Sequence, residues 1–236
     1  MPLLTFPITD TMTKMVLLLL LVTACAASPQ SLSGKMFIFP QETNTAYVKL
    51  TTSIQDLSAV TVCFRSFTEL KRDHSLFSMS LPSADNAFLI FKKAQRDLFH
   101  FAVQNELVQP ESQDYKLNMW QSICGTWDSS SGLTQMWLNG NPSSFRYTTS
   151  GNNINGPISI ILGQEQDSYS GGFDATQSLV GMMTDVHMWD YTLSPCDIQG
   201  FMEEKHFPEG NVFNWNSAEF QIEGRVLIKD KQQFCQ

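Results

Sequence analysis

The sequence predicts an all-β fold, a sandwich of two antiparallel sheets. Three observations carry this expectation. Short runs rich in β-branched and aromatic residues recur every dozen residues or so, residues 58–67 alternate between two faces, and an Asn-Gly pair joins two apolar runs. No helical segments alternate with these runs, which argues against a parallel sheet with crossover helices.

The elements follow in order. Residues 35–39 (KMFIF) and 46–50 (AYVKL) read as strands separated by Pro40 and Asn44. In residues 58–67 (SAVTVCFRSF), Val60, Val62 and Phe64 fall on one face and Thr61, Cys63 and Arg65 on the other. Residues 75–80, 87–91 and 98–103 continue the series. Met136-Trp137-Leu138, Asn139-Gly140 and Phe145-Arg146-Tyr147 read as a hairpin, and the apolar run 158–162 as a buried strand ended by Gly163. One short helix is expected near 195–204. Ser194 suits its N-cap, Pro195 its first position and Asp197 a capping-box-like start, while Ile198, Phe201 and Met202 form one apolar stripe. It ends before Pro208. With no repeat, low-complexity tract or linker, one domain follows.

The N-terminus reads as a secretory signal peptide over residues 1–26: Lys14 precedes Leu17 to Leu21, and Ala24-Cys25-Ala26 supplies a cleavage site. The alternatives to this reading are cleavage after Ala27 and initiation at Met12 or Met15. The apolar run is too short to span a bilayer and no later run approaches that length, so a secreted, extracellular product without a transmembrane segment is expected. The formal net charge of −8 argues against nucleic acid as a partner. Of five cysteines, Cys25 leaves with the leader. Cys63, Cys124, Cys196 and Cys235 remain for an oxidising compartment, with three possible pairings.

Chemistry concentrates in residues 158–181 (ISIILGQEQDSYSGGFDATQSLVG). Glu165 and Asp167 are two apart, so an extended backbone would present both carboxylates on one side with the Gln166 carbonyl between them. A Gly171-Gly172 turn could return Asp174 and Gln177 to the same place. Oxygen-only donors in that number suit calcium, which takes six to eight of them. The competing reading is a solvated acidic loop.

Ser122 to Ser129 (SICGTWDS) resembles the pentraxin signature His-x-Cys-x-Ser/Thr-Trp-x-Ser/Thr at Cys124, Thr126, Trp127 and Ser129, departing from it at Ser122. The acidic stretch is similar to the pentraxin calcium loop, and residues 188–195 (MWDYTLSP) are similar to the segment before the family's helix. The resemblance runs from about Lys35 to Ile228 and points to the short pentraxins. It implies a lectin-like jelly-roll sandwich over residues 27–236, two calcium ions per subunit and a cyclic homopentamer. It implies a Cys63–Cys124 disulfide, whose loop of about 60 residues is worth roughly 4 kcal/mol by chain entropy. That would leave Cys196 and Cys235 to pair within the chain, unless Cys235 pairs between subunits or stays free. The first ion would take Asp85 and Asn86, from a turn at residues 83–86, with Glu165, Asp167 and the Gln166 carbonyl. The second would share Glu165 and Asp167 and add Asp174 and Gln177. The family usually has Glu at the position of Asp174, so the reach there is one methylene short. A ligand phosphate or carboxylate would coordinate the ions. In the adjoining pocket Phe91 would face a choline group, Ala102 would line the wall and Glu106 would offer the carboxylate opposite the ammonium. Phosphocholine or a phosphorylated or carboxylated sugar surface is the implied ligand. Innate-immune pattern recognition, acute-phase character and complement engagement are the implied biology.

Two other classes compete. Jelly rolls also carry glycoside hydrolysis, but after Glu165-Gln166-Asp167 the residues Ser168, Tyr169 and Ser170 leave no general acid at strand spacing. The sequence has no Gly-x-Ser-x-Gly elbow, Cys-x-x-Cys pair or phosphate loop, and His74, His100, His187 and His206 lack zinc spacing, so no enzyme is expected. A laminin-G-like adhesive or carbohydrate-binding module would share the sandwich with a single calcium.

Overall fold

The structure, a computed structural model, describes residues 29–95, 98–111 and 113–232. The expected leader and Cys235 lie outside them. Among the described residues, thirteen strands of three residues or more, with shorter two-residue strands at their margins, build two antiparallel sheets. They are β1 (Lys35–Phe39), β2 (Tyr47–Leu50), β3 (Ala59–Thr68), β4 (His74–Leu81), β5 (Ala84–Lys92), β6 (Phe99–Val103) and β7 (Glu106–Val108), followed by β8 (Gln121–Asp128), β9 (Leu133–Leu138), β10 (Ser159–Leu162), β11 (Gly181–Trp189), β12 (Phe220–Glu223) and β13 (Leu227–Asp230). One sheet runs β9-β8-β3-β11-β1-β13, and the other β12-β2-β10-β4-β5-β6-β7. Most strands therefore neighbour others distant in sequence, as a jelly roll requires.

The core between the sheets takes Val60, Val62 and Phe64 from β3, Phe77 and Met79 from β4, Phe88 and Ile90 from β5 and Trp127 from β8. Alternation on β3 holds, but the expected second face is not open: every β3 residue except Phe67 is buried. The helix α1 (Pro195–Met202) covers that face. Ile198 and Phe201 pack on the Cys63–Cys124 disulfide, Trp137 and Trp189, with Met202 at the margin. Arg65 is buried there too. Its Nε donates to Asp185 at 3.0 Å, Nη2 to the Phe201 carbonyl at 2.6 Å and Nη1 to Ser122 Oγ. Ser122, the departure from the signature, is thus the hydroxyl that receives Arg65.

Local chemistry sets the ends. The Ser194 hydroxyl accepts the Asp197 N–H at 3.2 Å and caps α1 as its sequence predicts. Asn139 and Gly140 have φ of +49° and +82°, the signs a type I′ hairpin needs. Cys63 lies directly opposite Cys124 on β3 and β8 and is bonded to it. Among the described residues Cys196 is an exposed thiol, and its expected partner Cys235 lies outside them. His74 on β4 and His187 on β11 are buried.

Candidate metal and ligand site

The outer face of the sheet opposite α1 carries the site. β10 leads the chain there through Gly163, whose φ is +91° and where a Cβ would stand 2.3 Å from the Phe39 ring. Beyond it two buried glutamines peg the backbone. Gln164 Nε2 donates to the carbonyls of Thr43 and Ala46 at 2.7 and 2.9 Å. Gln166 Nε2 donates to the carbonyls of Ser78 and Ser159 at 3.1 and 3.2 Å, while its Oε1 accepts from Ser80 Oγ at 2.7 Å and the Ser170 N–H at 3.1 Å. With residues 164 and 166 tied inward, Glu165 and Asp167 line one cavity of about 300 Å³. The expected shared side of the two carboxylates is what the backbone delivers.

The loop then turns back. Ser168 and Gly171 exchange backbone hydrogen bonds at 3.2 and 3.0 Å. Gly172 has φ of +76°, and a Cβ there would meet Asp167 Cβ at 2.9 Å, so this close return requires glycine. Gln177 reaches the cavity wall. Asp174 does not: it is exposed and caps the 3₁₀ turn Ala175–Gln177, its Oδ1 accepting the Thr176 N–H at 2.9 Å. That bond lowers its carboxyl below the ordinary range.

Asp85 and Asn86 are not in the turn expected at residues 83–86; they open strand β5. Opposite them Met79 pairs with Phe88 and Leu81 with Ala84, so the two steps on β4 face four on β5 and residues 85–87 bulge. The bulge explains how Asn86 shares the cavity with Leu89 and Phe91 despite its odd spacing. Leu89, Phe91 and Ala102 form a small apolar cluster apart from the main core. Phe91 and Ala102 therefore line the cavity as the resemblance implied. Glu106 does not. Its neighbour Leu107 pairs with Ala102 and lines the wall, while Glu106 pairs with Val103 one position out of phase.

In place of a carboxylate, the far wall carries Lys93 and His100. Sequence reasoning missed both. The signal was available in the two-residue spacing of Leu89, Phe91 and Lys93 on β5 and of His100 and Ala102 on β6, which marks one strand face.

Electrostatics and hydrogen bonding leave the cluster incomplete. Among the described residues, Asn86 Oδ1, Glu165 Oε2 and Gln177 Oε1 are buried oxygens without a hydrogen-bond partner, and all three residues line the cavity. Glu165 is only 5% exposed. Burial, then the charge of Asp167 and a hydrogen bond with it, then Asp85 and Asp174, push its carboxyl up to about 7. Glu165 thus feels the other three carboxylates. Among the described residues no three His, Cys, Asp or Glu side chains close on one point as a preformed metal site, and amide oxygens stand beside the carboxylates in the cavity. The donor set is oxygen throughout, which suits a hard cation.

The comparisons with known proteins agree with this architecture. The profile of the Pentaxin family matches residues 35–230. Serum amyloid P-component of Sus scrofa is 36% identical over 220 residues, covering 91% of this chain and 97% of that protein. C-reactive protein of Xenopus laevis is 37% identical over 216 residues, covering 89% of each. The chain belongs to the pentraxin family. Among solved structures, the native heptameric SAP-like pentraxin from Limulus polyphemus superposes with a TM-score of 0.77 at 22% identity, covering 84% of this chain and 95% of that one. The jelly-roll sandwich with one helix is therefore the pentraxin fold, and Cys63–Cys124 is this pentraxin's described disulfide. Among the described residues no helix is long and apolar enough to cross a membrane.

Proposed function

We propose that the chain is a secreted, calcium-dependent recognition protein of innate immunity, and not an enzyme. The observation that carries the reading is the set of three partnerless buried oxygens, Asn86 Oδ1, Glu165 Oε2 and Gln177 Oε1, beside the Glu165 and Asp167 carboxylates on one cavity. Buried polar atoms without partners are costly, and cations held at the cavity would satisfy them. Asp85, Asn86, Glu165, Asp167 and the main-chain carbonyl of Gln166 would hold the first ion; the Gln166 side chain is already committed to Ser78, Ser80, Ser159 and Ser170. Glu165, Asp167, Asp174 and Gln177 would hold a second, weaker ion, because Asp174 is drawn to its own turn.

Bound calcium supplies positive charge to which a ligand phosphate or carboxylate coordinates. The chain's own contribution is the apolar floor of Leu89, Phe91 and Ala102 beside it. Weak sites of this kind gain strength by avidity when a cyclic homo-oligomer, a pentamer in the short pentraxins, presents them on one face toward a repetitive surface. Phosphocholine or phosphorylated and carboxylated glycans would be its ligands, with complement components as further partners. The leader over residues 1–26 belongs to the same proposal. Calorimetric titration of the mature protein with calcium tests it. Two ions per chain, with both weakened in Glu165→Gln because that carboxylate is shared, are expected; a chain that binds no calcium refutes the proposal. One ion only would confine the proposal to the first site.

A further inference from the structure

We infer that the ligand cavity prefers a molecule with two anionic groups over one that ends in a quaternary ammonium. The inference rests on the calcium-dependent reading above and concerns the other end of the same cavity.

Lys93 is placed against a cation at that end. It lines the cavity together with Phe91 and Ala102, and its Nζ stands 5.4 Å from the centroid of the Phe91 ring. The aromatic face that would receive a ligand ammonium thus already carries one from the chain itself. Two interactions keep it there: the Phe91 ring beneath and Asp73, which accepts from Nζ. Asp73 also accepts the Ala94 N–H, and it does not line the cavity, so the wall presents the cation and not its counter-charge. A lysine ammonium has three N–H donors, and the bond to Asp73 uses one. His100 stands beside Phe91, ring centroids 6.4 Å apart, and Gln109 Nε2 contacts its Nε2 at 3.1 Å, so it adds polar lining without negative charge. Glu106, the carboxylate that would favour an ammonium, is not on the wall.

The cavity is therefore polarised: the carboxylates of Glu165 and Asp167 with the amides of Asn86 and Gln177, an apolar floor, then Lys93. A matching ligand places one phosphate or carboxylate at the cation, lays an uncharged body over Leu89, Phe91 and Ala102, and offers a second phosphate, sulfate or carboxylate to Lys93. A ligand with a cationic far end meets Lys93 as a like charge.

Three probes share a phosphate on a short carbon body and carry different charges at the other end: 3-phosphoglycerate (anionic), glycerol 3-phosphate (neutral) and phosphocholine (cationic); the residue 93 variants separate charge from their differences in size and hydroxyl content. After a calcium titration, each is titrated into the calcium-loaded mature protein by calorimetry and again in chelator. Wild type should bind 3-phosphoglycerate about tenfold more tightly than phosphocholine, as one charge contact near the surface warrants, with glycerol 3-phosphate between them. Lys93→Glu should invert the order and Lys93→Gln should level it, with thermal melting confirming that each variant is folded. If Lys93→Glu does not fold, levelling in Lys93→Gln decides alone. Wild type that favours phosphocholine, or an order indifferent to residue 93 in folded protein, overturns the inference. Calcium binding with none of the probes bound overturns it while sparing the metal site, whereas absence of calcium binding in the first titration removes the function proposed above and this inference with it.

Discussion

Glu165 makes calcium binding a proton-linked event. Its carboxyl is pushed up to about 7 from an ordinary value of 4.5 by burial and by Asp167, Asp85 and Asp174, so at neutral pH it is half protonated until a cation displaces the proton. Calcium needs the carboxylate. With that pKa the ionised fraction is about 0.9 at pH 8 and about 0.1 at pH 6, so the apparent calcium affinity should fall roughly tenfold between them. A glutamate at its ordinary value would change by only about 3% over the same interval. Calorimetry at pH 8, 7 and 6, in two buffers of different ionisation heat, reads both the affinity and the protons released, about half a proton per chain at pH 7. The sign extends to the metal-free fold: a raised carboxyl contributes stability that is complete below pH 4.5 and lost as pH rises through about 7. An affinity constant within twofold from pH 6 to 8, with no proton release, would refute the electrostatic account of the cluster.

Other expectations follow from single contacts. Gln166→Ala removes a buried amide that satisfies Ser78, Ser80, Ser159 and Ser170, and should cost about 2–4 kcal/mol in urea unfolding, along with the calcium response; a loss under about 0.5 kcal/mol would mean that the peg is unimportant. Asp174→Glu restores the missing methylene and should tighten the second ion severalfold while leaving the first unchanged, read from the two phases of a calcium titration. Burial, before any charge, holds His74 and His187 down at about 4 against an ordinary 6.5. The unfolded chain takes up protons first, so their contribution is complete above pH 6.5 and disappears as pH falls through about 4, on the order of 3 kcal/mol each. His187→Gln should flatten that part of the melting profile, and an unchanged slope would contradict it.

The motif that points to the family is structural. Cys124 forms the disulfide, Trp127 is fully buried with its Nε1 donating to the Thr149 carbonyl at 3.0 Å, and Ser129 N–H bonds the Ser58 carbonyl at 2.9 Å. It identifies β8 as the partner of β3 and touches nothing in the cavity. The site itself was legible where short-range geometry governs it: Glu165 and Asp167 two residues apart, and the glycine turn that sends the chain back.

What the sequence determined by itself is local. Strand alternation, the Ser194 cap, the Asn139-Gly140 hairpin and the oxygen-rich loop each depend on neighbours a few residues away, and the backbone rules of period two and positive φ read them directly. What only the tertiary structure decided depends on partners far along the chain. The bulge at residues 85–87 turns Asn86 into the cavity because β4 fixes its register. The phase of Leu107 against Ala102 excludes Glu106, and Asp73 with the Phe91 ring keeps Lys93 over the face where a choline was expected. A single step of register exchanges the faces of a strand, and that step is set by long-range pairing.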